Sequence, residues 1–300
     1  MGARCGGALQ MVGRILQGVV ALAAVMLLAS CMGTAEEGTG GTGTSGTSGS
    51  SGNGYGGQGG SADGGDGVSG RAGSPGGSYS FDGPGAVAGS GRLTSRTIDL
   101  TGVTSLTVGA GFVVHLRTGG PPQATVKMDD NLVDQVEAGV LGDELRLGIR
   151  PGLGVRNATL SAEVTVGQLD RLATSGASRV TLEPGVSSPA LHLVVGGASA
   201  VTGPVTVDRL QATVSGASTL ALSGRVEDLQ LNAAGACRLP LSDLAVRRLD
   251  ARLSGTSHAT VTVSDTLAAE AAGLSVLRYR GTPSVTRSQT SGMSTIAPGG

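Results

Sequence analysis

The sequence predicts an all-β chain: a single-stranded β-solenoid head with about seven coils in its C-terminal array, a strand-rich part before it, and a disordered Gly/Ser-rich linker before that. Three observations carry this. A short word, a glycine among small residues followed by serine or cysteine, recurs at Gly176, Gly197, Gly216, Gly235, Gly255, Gly273 and Gly292. Its successive gaps are 21, 19, 19, 20, 18 and 19 residues, and a fixed period near ~20 is the mark of stacked repeats. Between the words every second residue is aliphatic, the pattern of a strand with one buried face.

Residues 1–30 read as an export signal, with Arg4 and Arg14 ahead of an apolar run from Val19 to Ala29. The run is too short for a membrane span, and no second apolar run follows it. Leu28, Ala29, Ser30 and Cys31 resemble the lipobox of bacterial lipoproteins. That resemblance implies cleavage before Cys31, acylation of its thiol and of the new amine, and membrane attachment through the lipid. More than one acyl chain is what makes such attachment stable. The competing reading is an ordinary cleaved signal that ends near a cysteine.

With Cys5 in the signal and Cys31 lipidated, Cys237 alone remains, so neither a disulfide framework nor a zinc site is expected. Cys237 occupies the slot that serine fills in the other copies of the word, and reads as a small buried thiol.

From residue 31 to 91 the chain is rich in Gly, Ser and Thr, and 24 of the protein's 54 glycines fall here. It has too few branched aliphatic side chains to bury a core and reads as a flexible tether with an r.m.s. span of roughly 40–45 Å. Near Arg92 the composition turns to Val, Leu and Thr in alternation, and the head, 92–300, is expected to begin there. Strands are predicted over 105–108, 112–117, 124–128, 133–138, 144–149 and 159–166, broken by Gly109, the 119–122 and 151–154 clusters and Gly142.

The array is predicted over about 169–296, each coil pairing a strand before the word with one after it. At a sharp corner, a residue with positive φ and no side chain is favoured, which glycine supplies. The serines that follow, with Cys237 in one copy, read as a buried structural ladder rather than a row of ligands.

Basic and acidic residues balance, 21 against 22, so no nucleic-acid footprint is expected. His115, His192 and His258 are isolated and read as surface strand residues, and no metal site, catalytic residue or cofactor is expected. Asp129 and Asp130 read as a solvated charged turn. Glu227 and Asp228, adjacent in a strand, are expected to face opposite ways. The array's acids show no common repeat phase of the kind that paired-carboxylate sugar chemistry would need. The head has only Phe112 and Tyr279 as aromatics, against a sugar-stacking surface.

Several stretches together resemble the autotransporter adhesin head called the GIN domain, a domain of unknown function. They are Phe112-Val-Val-His-Leu116, Gly119-Gly120, Asn131-Leu132, the repeated words, and Tyr279, Gly281, Pro283 and Val285 before Ser291-Gly292. The words depart from the family's usual Ser-Gly-Ser-Gly, with Ala, Thr, Leu or Met for the second serine and Ser or Cys for the second glycine. The resemblance implies a right-handed β-helix-like head on a cell-surface protein and brings no catalytic residues with it.

The expected function is therefore a lipid-anchored envelope protein whose head binds an unknown envelope or surface ligand, with the membrane as partner through Cys31. Its expected place is the outer membrane or cell surface. Two other readings stand beside it: a homo-oligomer stacked end to end in the manner of a bactofilin, and a carbohydrate-active β-helix enzyme.

Overall fold

The structure is a computed structural model and describes residues 86–299; Cys31, the expected signal at 1–30 and the expected tether as far as residue 85 lie outside the described residues. The first strands are β1 (Val87–Ala88), β2 (Leu93–Asp99), β3 (Ser105–Val108), β4 (Val113–Thr118) and β5 (Gln123–Asp129), followed by a 3₁₀ turn at Asp130–Leu132. Then come β6 (Val136–Leu141), β7 (Glu144–Ile149), β8 (Val155–Arg156) and β9 (Leu160–Val166). The array holds β10 (Arg171–Thr174), β11 (Arg179–Leu182), β12 (Ser187–Val195), β13 (Ala200–Gly216), β14 (Thr219–Gly235) and β15 (Arg238–Gly255). It closes with β16 (His258–Ala271), β17 (Val276–Arg280), β18 (Ser284–Thr290) and β19 (Thr295–Pro298).

These strands wind into a β-solenoid of about seven turns. The first wall lies before each word and is parallel throughout: β7, β3, β10, β12, then the later halves of β13 to β16, and β18. The second wall lies after the word and runs β9, β4, β11, the early parts of β13 to β16, β17 and β19. A third, shorter wall pairs Ser188, Val207, Val226 and Val246 across successive rungs. β13, β14 and β15 each run through two corners without a break, and at each corner the inward–outward alternation restarts. Sequence alternation alone resolves two walls per coil; the third is short and lies between corners.

The core is a set of aliphatic ladders. On the first wall Leu145, Leu106, Leu172, Leu193, Ala212, Leu231, Ala251 and Ala269 stack in register, all buried. Each inward side chain meets the equivalent residue one rung away, about 4.8 Å off, so burial depends on neighbours rather than on any single coil.

The strand-rich part before the array belongs to the same stack, threaded out of order. After β3 and β4 the chain leaves the solenoid, forms β5, and returns as the β6–β7 hairpin and β9, which add a rung beneath the one already made. β5 and β2 then extend the second wall in antiparallel sense, β6 does so on the first wall, and buried Leu132 closes the mouth of the core.

Candidate functional site

The word forms one corner of every coil. Its glycines have positive φ, from 69° at Gly176 to 112° at Gly235. A methyl group at Gly216 would lie 2.3 Å from Gly197 O, and one at Gly235 2.5 Å from Gly216 O, so the corners nest backbone on backbone. Ser178, Ser218, Ser257 and Ser275 are buried. Their hydroxyls donate at 2.7–2.9 Å to the carbonyl three residues earlier, across the corner. Ser218, Ser257 and Ser275 also reach the word glycine's carbonyl on the preceding rung, at 3.1–3.4 Å. Cys237 is buried in the same slot, with Sγ 3.5 Å from Ala234 O. These side chains point inward and offer nothing to a ligand.

An eighth corner, which the spacing does not reveal, lies at Gly109–Phe112. Val108 pairs with Thr174, and Ala110 stacks under Gly176. Ala110 and Gly111 take φ of 54° and 77°, close to Gly176 and Ala177 at 69° and 78°. Buried Phe112 stands where the array has serine, which hid the match.

Asp129 departs from the solvated-turn expectation. It is 1% exposed. Its carboxylate accepts from the N–H of Gly91 at 2.8 Å and of Thr159 at 2.7 Å. Its neighbours complete a clasp around the entering chain. The Asn131 amide donates to Ala88 O at 2.8 Å and its oxygen accepts from Ser90 N–H at 3.0 Å, as a strand partner would. Asp130 takes the Ser90 hydroxyl and pairs with Arg92 at 2.8 Å. The Ser90 hydrogen bond, then Arg92, holds its carboxyl below the usual carboxylate range. Among the described residues, strand structure is already present at Val87–Ala88, where β1 pairs with β8.

The outer faces carry the side chains available to a partner. Along the first wall runs an open trough of about 830 Å³, crossing successive rungs from Asp170 to Thr286. One bank is the corner column Arg209, Asp228 and Arg248, aligned rung on rung. The other is His192, Gln211, Gln230 and Asp250, also in register. Gln211 and Gln230 are exposed, and neither hydrogen-bonds another described residue through its side chain. Arg248 donates to both Asp228 carboxylate oxygens, through Nε and Nη2, which holds the Asp228 carboxyl low. That is the reverse of the raised carboxyl a sugar-cleaving general acid needs.

Glu227 and Asp228 both face outward because a corner falls between Val226 and Leu229. The corner sends Glu227 to Arg225 and Arg247 on the third wall, and Asp228 to the trough. As expected from the sequence, the array's acids share no single phase: Asp228, Asp250 and Glu270 stand in three different columns, though Asp228 and Glu270 each face an arginine one rung away, at Arg248 and Arg252.

The histidines are dispersed. His115 faces Glu183 at 3.4 Å on the second wall, and His258 Nδ1 meets Thr256 O at 3.0 Å. His192 lies beside Arg171, and partial burial, then that guanidinium, push its pKa down. Among the described residues no group of three or more His, Cys, Asp or Glu could hold a metal ion. Nor is any helix there long and apolar enough to cross a membrane. Phe112 lies inside the core and Tyr279 packs against it half-buried, so neither presents a free ring face.

Comparison with known proteins agrees with this geometry. A putative adhesin from Bacteroides fragilis superposes with a TM-score of 0.67 at 20% identity, over 71% of this chain and 100% of that one. A putative adhesin from Parabacteroides merdae gives 0.59 at 17% identity, over 72% and 99%. A putative lipid binding protein from Parabacteroides distasonis gives 0.59 at 17% identity, over 72% and 100%. At these identities the likeness shows a shared fold. No curated protein matches the sequence. The family described as "Putative auto-transporter adhesin, head GIN domain" matches residues 102–283, more than half of the sequence, and the chain belongs to that family.

Proposed function

We propose that the chain is a lipid-anchored adhesin head of the bacterial envelope that acts by binding. In this reading the signal at 1–30 is removed, Cys31 carries the lipid, residues 31–91 are the tether and 92–300 the head. The observation that carries the binding reading is the trough. It is a continuous outward face in which Gln211 and Gln230 repeat at rung spacing along one bank, opposite the column Arg209, Asp228 and Arg248. A linear polar polymer fits such a face, because Gln211 and Gln230 offer the same amide donors and acceptor on two successive rungs, to two successive repeats of the ligand. Membership in an adhesin-head family supports the same role at the cell surface.

Two measurements test the two halves separately. Metabolic labelling with an alkyne fatty acid should mark the wild-type chain and leave Cys31→Ser unlabelled; equal labelling would rule out the anchor. For the trough, Gln211→Ala with Gln230→Ala should lower binding of the displayed head to envelope or matrix material about tenfold or more, while leaving its melting temperature unchanged. Wild-type binding by this variant would place the ligand elsewhere.

A further inference from the structure

The two ends of the solenoid are finished differently. At the N-terminal end the mouth of the core is closed by Leu132, and the added edge strands carry charge: Arg96 and Asp99 on β2, Glu137 on β6. Charged side chains are a common device for keeping an edge from pairing with another chain. At the C-terminal end no described residue closes the core, and the edge strands carry a single charge. Among the described residues β18 pairs only with β16, and β19 only with β17. Ser291 N–H donates inward to Ala271 O and Thr295 N–H to Ser275 O. By strand alternation, the N–H groups of Ser288, Thr290 and Ile296 face the open side. The inward positions of this rung are Val285, Ser288, Thr290 and Ile296, and no described residue is stacked above them. Val285 is 45% exposed, and Met293, at the corner between the two strands, is 77% exposed.

The sole charge on β18–β19 is Arg287, and Glu270 on the rung below neutralises it at 2.5 Å. A copy of the same edge could therefore be laid against this one without opposing two uncompensated like charges, which would be unfavourable across a strand pair. Parallel edges related by a two-fold axis meet antiparallel, and an isologous contact of that kind closes at two copies. The charged, plugged N-terminal end then stops growth into a filament.

We propose that the last rung, β18 and β19, is a homophilic docking surface whose partner is the same rung of a second copy of this chain. The tether enters at the clasp around Gly89–Arg92, at the opposite end of the stack from that rung. In a tail-to-tail pair the two entry points lie at the far ends, the geometry of a bridge between two opposed membranes. This bridging sense rests on the lipid-anchor reading above; the pairing of the rungs does not.

The experiment uses the full chain with its lipid, in detergent for sedimentation and then in phosphatidylcholine vesicles. The wild type should sediment as a dimer. Ser288→Lys and Ser288→Glu should each weaken it about tenfold or more, and an equimolar mixture of the two should restore it, since like charges across an interface repel and opposite ones attract. Both variants change an exposed position, and the rescue shows that they fold. Vesicles bearing wild type should cluster, and Ser288→Lys vesicles should cluster only with Ser288→Glu vesicles.

A monomeric wild type, or a dimer indifferent to both charges, would overturn the docking surface. So would protection of 286–298 from hydrogen exchange in a monomer, which would mean that residues 31–85 of the same chain cover the edge. Dimers on acylated, inserted protein that leave vesicles dispersed would overturn the bridging sense. Dimers on a chain whose Cys31 bears no lipid would fault the anchor and leave the rung pairing standing.

Discussion

Single residues decide the corners. At Gly216 a side chain would need φ of 74° and would meet Gly197 O at 2.3 Å, backbone that cannot rotate aside. Gly216→Ala should cost about 3 kcal/mol in chemical denaturation. Gly139→Ala on β6, with ordinary φ and open space around it, should stay within about 0.5 kcal/mol. Asp129 is the corresponding single point at the entry of the chain. Asp129→Asn replaces an acceptor of two backbone N–H groups by an amide that can satisfy one, and should cost about 2 kcal/mol. Hydrogen exchange should then speed up at Gly91 and Thr159 before it does in the array. The clasp was not legible because Asp-Asp-Asn reads locally as a turn; its role depends on Gly91 and Thr159, which are distant in sequence. The Asn131-Leu132 pair has a physical role in the same place, one residue bracing the entering chain and the other plugging the core.

Elements are held by registered repetition. The words were legible because the corner admits so few residue types; the third wall and the Gly109 corner were not. The chain inserts β5 to β9 between its first corner and its second, so the period is lost in sequence while it persists in space. Charge complementarity between rungs was present in the sequence as Arg209, Asp228 and Arg248 at gaps of one coil, and becomes meaningful once register is known.

The same ladder sets the acid response. Asp228 is lowered chiefly by Arg248, and Glu270 chiefly by Arg287, so each contributes stability above its unfolded pKa that is lost as pH falls through the lower folded value. His192, also lowered, favours the neutral ring in the folded state, and its contribution fades as pH falls below the unfolded value of about 6.5. Melting temperature should therefore decline gently from about pH 6.5 and more steeply below about pH 4. His192→Gln should remove the first decline and leave the second. A flat profile down to pH 4 in the wild type would contradict the assignment to His192.

On the scale of the molecule, the stack has a direction: the described chain enters at the Gly89–Arg92 clasp near the plugged end, and the trough and the last rung lie along and beyond it. Because the core is one continuous ladder, a cavity at mid-stack weakens both neighbours of the affected rung. Leu231→Ala should cost about 3 kcal/mol and still give one cooperative transition. If this solenoid works as a membrane-held binding head, adhesion by the cell depends on both the head and its anchor. The most direct test is retention under flow of cells on a lawn of the same bacterium, comparing a deletion strain complemented with wild type, Cys31→Ser or Cys237→Ser. Wild type and Cys237→Ser should restore retention and Cys31→Ser should not. Equal retention by the deletion strain and the wild type would contradict the claim.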